Sequence, residues 1–202
     1  MTHKQSSEKI LGMKVFIATL LLILGLQSLS KSDDISEFEI EGMSIGDSAL
    51  KFFSEKDIKN NSKNYYRDKT FTPVQNDQYP FFEIYDAVDF NFRTGDKKYI
   101  LQNINGVLFY DNNIEDCYPK MDSITEDIER NVKYLKKHIK DVFTHPNDKT
   151  GKSIFTQARF DLKDGYIHVI CYDYSIEHGS QDHLSVSIDT KEFNHWVIGG
   201  IY

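Results

Sequence analysis

The sequence predicts an α+β fold with an N-terminal helical hairpin, an antiparallel sheet of about five strands, and one long amphipathic helix packed on one face of that sheet. Three observations predict it. Two capping-box sequences lie in the first 60 residues, the apolar period is two over 82–110 and again over 154–188, and between those stretches it alternates steps of three and four. Hairpin turns separate the strands, which makes an antiparallel sheet the expectation.

Taken from the start, Val15 to Leu26 (VFIATLLLILGL) is an uncharged run of 12 residues preceded by Lys4, Lys9 and Lys14 and followed by Ser28 and Ser30. A membrane span needs about 20 residues, whereas this length suits the apolar region of a secretory signal peptide. Residues 1–30 are therefore expected to be a signal peptide cleaved before Lys31. The alternative is an uncleaved signal anchor that uses residues 10–29. Met13-Lys14 offers a second start. Lysines before the run and Asp33-Asp34 after it place residues 31–202, read as a single domain, in the periplasm or outside the cell.

Ser44-Ile45-Gly46-Asp47 and Ser54-Glu55-Lys56-Asp57 each put a carboxylate three residues after a hydroxyl, and they predict short helices over 45–53 and 55–60. Residues 62–79, polar and aromatic without period, read as an irregular internal connection. Phe82, Ile84, Val88, Phe90 and Phe92 then share one strand face, and Thr94-Gly95-Asp96 turns the chain into a second strand, 97–110. From Ile114 the apolar residues fall at Cys117, Met121, Ile124, Ile128, Val132, Leu135, Ile139 and Val142, a helical stripe about 29 residues long. Pro119 makes its first turn separate or irregular, and Lys136, Lys137, His138 and Lys140 suit its carbonyl end. In the last third Ile154, Thr156, Ala158, Phe160 and Leu162 alternate with polar or aromatic neighbours. Asp164-Gly165 supplies a two-residue turn that pairs 163 with 166, so that 159 faces 170 and 157 faces 172. Ile167, Val169 and Cys171 join the inner face, and Leu184, Val186 and Ile188 mark a further strand.

Composition narrows the function classes. The chain has 24 Lys+Arg against 31 Asp+Glu, and without the first 30 residues the balance is 21 to 30. So acidic a domain argues against nucleic acid as partner. Four Pro, 11 Gly and two Cys exclude collagen-like, low-complexity and disulfide-dense classes. Nothing in the sequence calls for a cofactor.

Four constellations carry potential chemistry. Gly46-Asp47-Ser48 is similar to the nucleophile block of GDS-type esterases and lipases, which would give Ser48 the attacking role, but the Asp-x-x-His pair those enzymes need is absent from the chain. Glu177, His178, Asp182 and His183 put two imidazoles five apart among carboxylates, loosely at metal-ligand spacing, although the polar composition reads as a loop and no metal is assigned. Cys117 starts the covering helix and Cys171 lies on the face it should cover, so a disulfide is expected between them. The outer face of the last hairpin gathers Arg159, Tyr166, His168, Tyr172 and Tyr174, side chains that recognition surfaces favour. These five are the candidate binding residues.

Phe38 to Asn61 (FEIEGMSIGDSALKFFSEKDIKNN), the signal-peptide-like start and the later segment YDNNIEDCYPKM resemble an uncharacterised group of exported bacterial proteins from compact AT-rich genomes. The resemblance implies export and carries no functional residue. More distantly, Gly42-Met43-Ser44 opening a helical hairpin before antiparallel strands is similar to the small lipoproteins that assist outer-membrane protein assembly. This chain lacks their lipid-bearing Cys and has an extra helix. The functional expectation is a non-catalytic envelope binding or accessory protein, periplasmic or secreted. Its partner would be an envelope protein or a small ligand, and it would meet a membrane only through residues 10–29 if these are uncleaved. The alternative is a small periplasmic hydrolase, a GDS-type serine esterase or a metal-dependent enzyme.

Overall fold

The computed structural model describes residues 33–64, 66–76, 82–110 and 113–199, so the signal-peptide segment lies outside the described residues. A 3-10 turn (Ile35–Glu37) precedes a two-stranded hairpin, β1 (Glu39–Ile40) and β2 (Met43–Ser44), and a second 3-10 turn (Ala49–Lys51) leads into α1 (Glu55–Asn61). Seven strands then build the main sheet: β3 (Phe71–Asn76), β4 (Ala87–Arg93), β5 (Leu101–Phe109), β6 (Lys136–Thr144), β7 (Ile154–Asp161), β8 (Gly165–Asp173) and β9 (His183–Thr190). The helix α2 (Cys117–Asn131) joins β5 to β6, and α3 (Lys191–Ile198) follows β9. The strand order is β3-β4-β5-β9-β8-β7-β6, antiparallel at every pairing. Two meanders, β3–β5 and β6–β9, thus meet along one central seam where β5 pairs with β9.

This corrects the fold read from sequence in three places. The N-terminal helical hairpin is not there. Only the second capping box caps a helix, with Ser54 Oγ accepting from Asp57 N at 3.1 Å. At the first, Asp47 Oδ2 still accepts from Ser44 N at 3.3 Å, but Glu41 and Gly42 take left-handed backbone (φ 51° and 76°) and fold residues 39–44 into a β-hairpin. A non-glycine residue in that region is held by its own side chain: the Glu41 carboxylate accepts from Glu83 N, Ile84 N and Tyr85 N at 2.9, 2.8 and 2.9 Å. The likeness to assembly lipoproteins, which rested on a helical hairpin here, falls with it.

Second, the long helix ends at Asn131, and residues 136–144 form β6. Asn131 Nδ2 donates to Asp127 O at 2.9 Å, and Val132 turns extended (φ −107°, ψ 137°). Had the helix continued, β7 would be an open edge. Instead β6 pairs with it, with a bulge between His138 and Asp141 where Lys140 takes φ 57°. Lys136, Lys137 and Lys140 guard this outermost strand rather than a helix end. The irregular start at Pro119 takes the form of a 3-10 turn (Ile114–Asp116) before the α-helix.

Third, the sheet exceeds five strands and carries helices on both faces. β3 arises inside the segment read as a connection, at the edge where Pro73, lacking an N–H, is tolerated. The inner face packs Phe90, Ile104, Val169, Val186 and Phe160 beneath Met121, Ile124 and Ile128 of α2. Cys117 and Cys171 are bonded, their Cα atoms 6.1 Å apart, which fastens the start of α2 to β8. On the outer face, α3 packs Phe193 against Phe71, their ring centres 5.4 Å apart.

The last hairpin also turns one residue earlier than expected. Asp161 faces Tyr166, Arg159 faces His168 and Gln157 faces Ile170, and Leu162 N donates to Gly165 O at 2.9 Å, so Lys163-Asp164 make the turn. Gly165 is not used for left-handed backbone. It is a close-approach glycine, since a Cβ there would sit 2.2 Å from the Asp189 carbonyl oxygen. A shift of two in pairing leaves each side chain on its face. Among the described residues no helix is long and apolar enough to cross a membrane.

A polar cleft on the outer sheet face

Alternation along each strand sends one set of side chains to the inner core and the other outward, and the outward set of five adjacent strands is unusually polar. Asn91 (β4), Asn103 and Asn105 (β5), Ser185, Ser187 and Asp189 (β9), His168 (β8) and Gln157 (β7) form the floor of a cleft of about 590 Å³. Phe193, Asn194 and Val197 of α3 wall one side, and Phe155 and Tyr172 supply aromatic surface. The volume falls within the roughly 300–1,000 Å³ usual for small-molecule sites.

A hydrogen-bonded row runs across this floor. Asn91 Nδ2 donates to Asn103 Oδ1 at 2.8 Å, and Asn103 Nδ2 donates to Asp189 Oδ1 at 2.6 Å. The other carboxylate oxygen of Asp189 lies 3.3 Å from His168 Nε2. The imidazole is flanked by two amides, Gln157 Nε2 at 3.1 Å from Nδ1 and Asn194 Nδ2 at 3.1 Å from Nε2. A carboxylate only accepts, so the network places a ring proton on Nε2, facing Asp189, with Nδ1 accepting from Gln157 and the Asn194 amide packing against Nε2 without a hydrogen bond to it. Asn91, Asn103, His168, Asp189 and Asn194 are all buried. Beside the row, Ser185 Oγ donates to Asn105 Oδ1 at 2.6 Å.

The five sequence-predicted binding residues do not form one open patch. His168 is buried inside the row, covered by Asn194 of α3. Arg159 and Tyr166 sit at one end, half-buried. There Arg159 Nε donates to Asp161 Oδ1 at 2.8 Å, its outer nitrogen lies 3.2 Å from His138 Nε2, and its guanidinium lies over the Tyr166 ring at 5.6 Å. Tyr172 and Tyr174 sit at the other end in a run of touching rings: His178 against Tyr174 at 4.8 Å, Tyr174 against Tyr172 at 5.8 Å, and Tyr172 against His183 at 4.7 Å. His145, which the sequence did not single out, joins this run 5.1 Å from Tyr174. Burial pushes the His145 and His183 imidazoles below their ordinary value, and for His145 the neighbouring His178 adds to the effect.

Candidate chemistry elsewhere is taken up by structure. Ser48 Oγ donates to the Lys98 carbonyl at 2.6 Å and accepts from Leu50 N at 3.3 Å, so it caps a turn. Glu177 pairs with Lys152, and Asp182 Oδ1 accepts from Tyr174 N at 2.7 Å. Among the described residues no three His, Cys, Asp or Glu side chains converge in a metal-binding arrangement. Asp148, held far below the usual carboxylate range by the hydroxyls of Ser153 and Thr150, fastens the loop between β6 and β7.

The amide and hydroxyl floor escaped the sequence reading although half its signal was visible. Asn103 and Asn105 alternate with Ile104, and Ser185, Ser187 and Asp189 alternate with Val186 and Ile188. What was hidden was the pairing of β5 with β9, which sets these two polar faces side by side. Comparison with protein-family models, with curated proteins and with solved structures finds no match.

Proposed function

We propose that the protein is a non-catalytic binding or accessory protein of the cell envelope, and that the outer-face cleft is where it holds its ligand or partner. The observation that carries this reading is a rigid, internally bonded polar row lying beneath an accessible cleft: a floor whose side chains are locked before anything binds is what recognition requires. The ring nitrogens of His168 are engaged by Gln157 and Asp189 and the Ser48 hydroxyl is engaged by backbone, which supports binding over turnover. The Cys117–Cys171 bond and the lysine-flanked apolar run at 15–26 support an exported location, periplasmic or extracellular.

An Ile170→Trp variant tests the reading. Ile170 is a half-buried floor residue of a β-strand that makes none of the row's hydrogen bonds, and an indole there would occupy space in the cleft. Immobilised wild-type and variant protein receive the same envelope extract of the native host, and the eluates are compared by mass spectrometry of proteins and small molecules. A species retained by the wild type and lost from the folded variant is the expected result. Identical eluates would remove the cleft from the function.

A further inference from the structure

Taking the cleft as the binding site proposed above, we infer that its ligand is a neutral polyhydroxylated molecule, a short oligosaccharide. The argument starts from the polarity of the row. A carboxylate only accepts hydrogen bonds, so Asn103 must turn its amide nitrogen toward Asp189, and its oxygen then faces Asn91. Asn91 must in turn spend its nitrogen on Asn103. The direction propagates across three strands and leaves Asn91 Oδ1 buried without a partner among the described residues. The residue opposite Asn91 on β3 is Pro73, which has no N–H and no polar side chain to offer. Asn91, 6% exposed, lines the cleft, so among the described residues the cleft is the side from which a donor can approach this side chain.

The rest of the lining says what else that ligand must be. Asn105 also lines the cleft, and with its oxygen taken by Ser185 its amide nitrogen is the group it has left to offer, so the floor combines donors with acceptors. Hydroxyl groups satisfy both, because each both donates and accepts. Phe155 and Tyr172, paired across β7 and β8 with ring centres 5.6 Å apart, form an apolar surface against which the C–H face of a sugar ring can lie. Charge argues against an anion. Asp89 and Asp189 line the cleft, and its one guanidinium, Arg159, is already bound to Asp161. An extended peptide would add as a strand at a sheet edge, whereas these floor strands are central. An amide and hydroxyl floor equally disfavours a lipid chain.

The experiment follows backbone amide shifts of the full exported domain on titration with maltotriose, cellotriose and chitotriose, with inorganic phosphate and spermidine as charged comparators. The expected result is saturable shifts at Asn91, Asn105 and Tyr172 with at least one trisaccharide, and affinity reduced at least about tenfold by Tyr172→Ala, which removes the stacking surface at a half-exposed position. Asn91→Leu is expected to weaken binding similarly, and Tyr172→Ala decides the matter if that buried substitution impairs folding. No saturable change with any trisaccharide at about 10 mM overturns the inference. Binding of phosphate or spermidine alone also overturns it, while leaving the cleft as a site; the cleft itself stands or falls separately with Ile170→Trp.

Discussion

Replacing Asp189 by leucine decides whether the polar row is one structure or a set of independent pairs. Asp189 is 5% exposed, takes a hydrogen bond from Asn103 Nδ2 at 2.6 Å and lies 3.3 Å from His168 Nε2. Leucine keeps the volume roughly and deletes both acceptors, stranding two buried donors. Each buried donor left without a partner costs about 1–3 kcal/mol, and the apolar side chain recovers part of that, so the net loss is about 2–4 kcal/mol. In a domain of this size that corresponds to a fall in Tm of roughly 5–15 °C. Asp189→Asn is the matched control. Its oxygen can still accept from Asn103, and its nitrogen can face His168 if the ring proton moves to Nδ1 and the Gln157 amide turns to accept. That rearrangement costs less, about 1 kcal/mol. Urea unfolding followed by circular dichroism gives both numbers from the shift in midpoint at unchanged slope. The reasoning is refuted if Asp189→Leu lies within about 1 kcal/mol of wild type, or if Asn and Leu destabilise equally.

Three further outcomes are expected. Gly106→Ala destabilises by about 1–3 kcal/mol in the same assay, because its Cβ would stand 2.7 Å from three ring atoms of the buried Tyr85; a neutral result would mean that ring moves freely. Reducing the Cys117–Cys171 bond, which closes a separation of 54 residues, removes about 4 kcal/mol on the chain-entropy view, read as the difference in urea midpoint with and without reductant. Tm falls as the pH drops from about 7.5 to 5.5. His145 and His183 are held below the ordinary imidazole value of 6.5, so the unfolded chain binds protons that the folded one does not, and stability present above that value is lost on acidification. In His145→Phe, which keeps a ring in the stack, the fall is expected to be smaller, and an equal fall would assign it to other groups.

How much of this was legible depended on whether a segment's period reached the core undisturbed. Strands β7, β8 and β9 alternate cleanly because one face is largely buried, and their side chains lie on the faces that the alternation indicates. The two-residue error in the hairpin register came from giving Gly165 a turn role when its task is to let β9's backbone come close. β6 was misread because its bulge at Lys140 breaks the two-residue alternation, so that Ile139 and Val142 fall into step with the preceding helix. Pro73 hid β3, although a proline in a strand is itself a mark of an edge. The helix α3 left a readable trace, Thr190 capping a turn followed by Phe193, Trp196 and Val197 at helical spacing. Of the cleft's lining, the sequence reading named the aromatic end and not the amide floor. Each strand of the floor was legible alone, and only a pairing across some 80 residues of chain makes them a surface.

That central seam also orders the assembly of the molecule. Each meander forms from neighbours in sequence, but the seam must bring Asn103 to Asp189 across 86 residues. The Cys117–Cys171 bridge short-circuits the interval, because a path through the sulfur atoms leaves about 32 residues of chain to be closed, which lowers the entropic barrier by roughly 1 kcal/mol. A chain oxidised early therefore zips its two halves together faster than a reduced one. The compartment that supplies the oxidant governs how quickly the cleft comes into being.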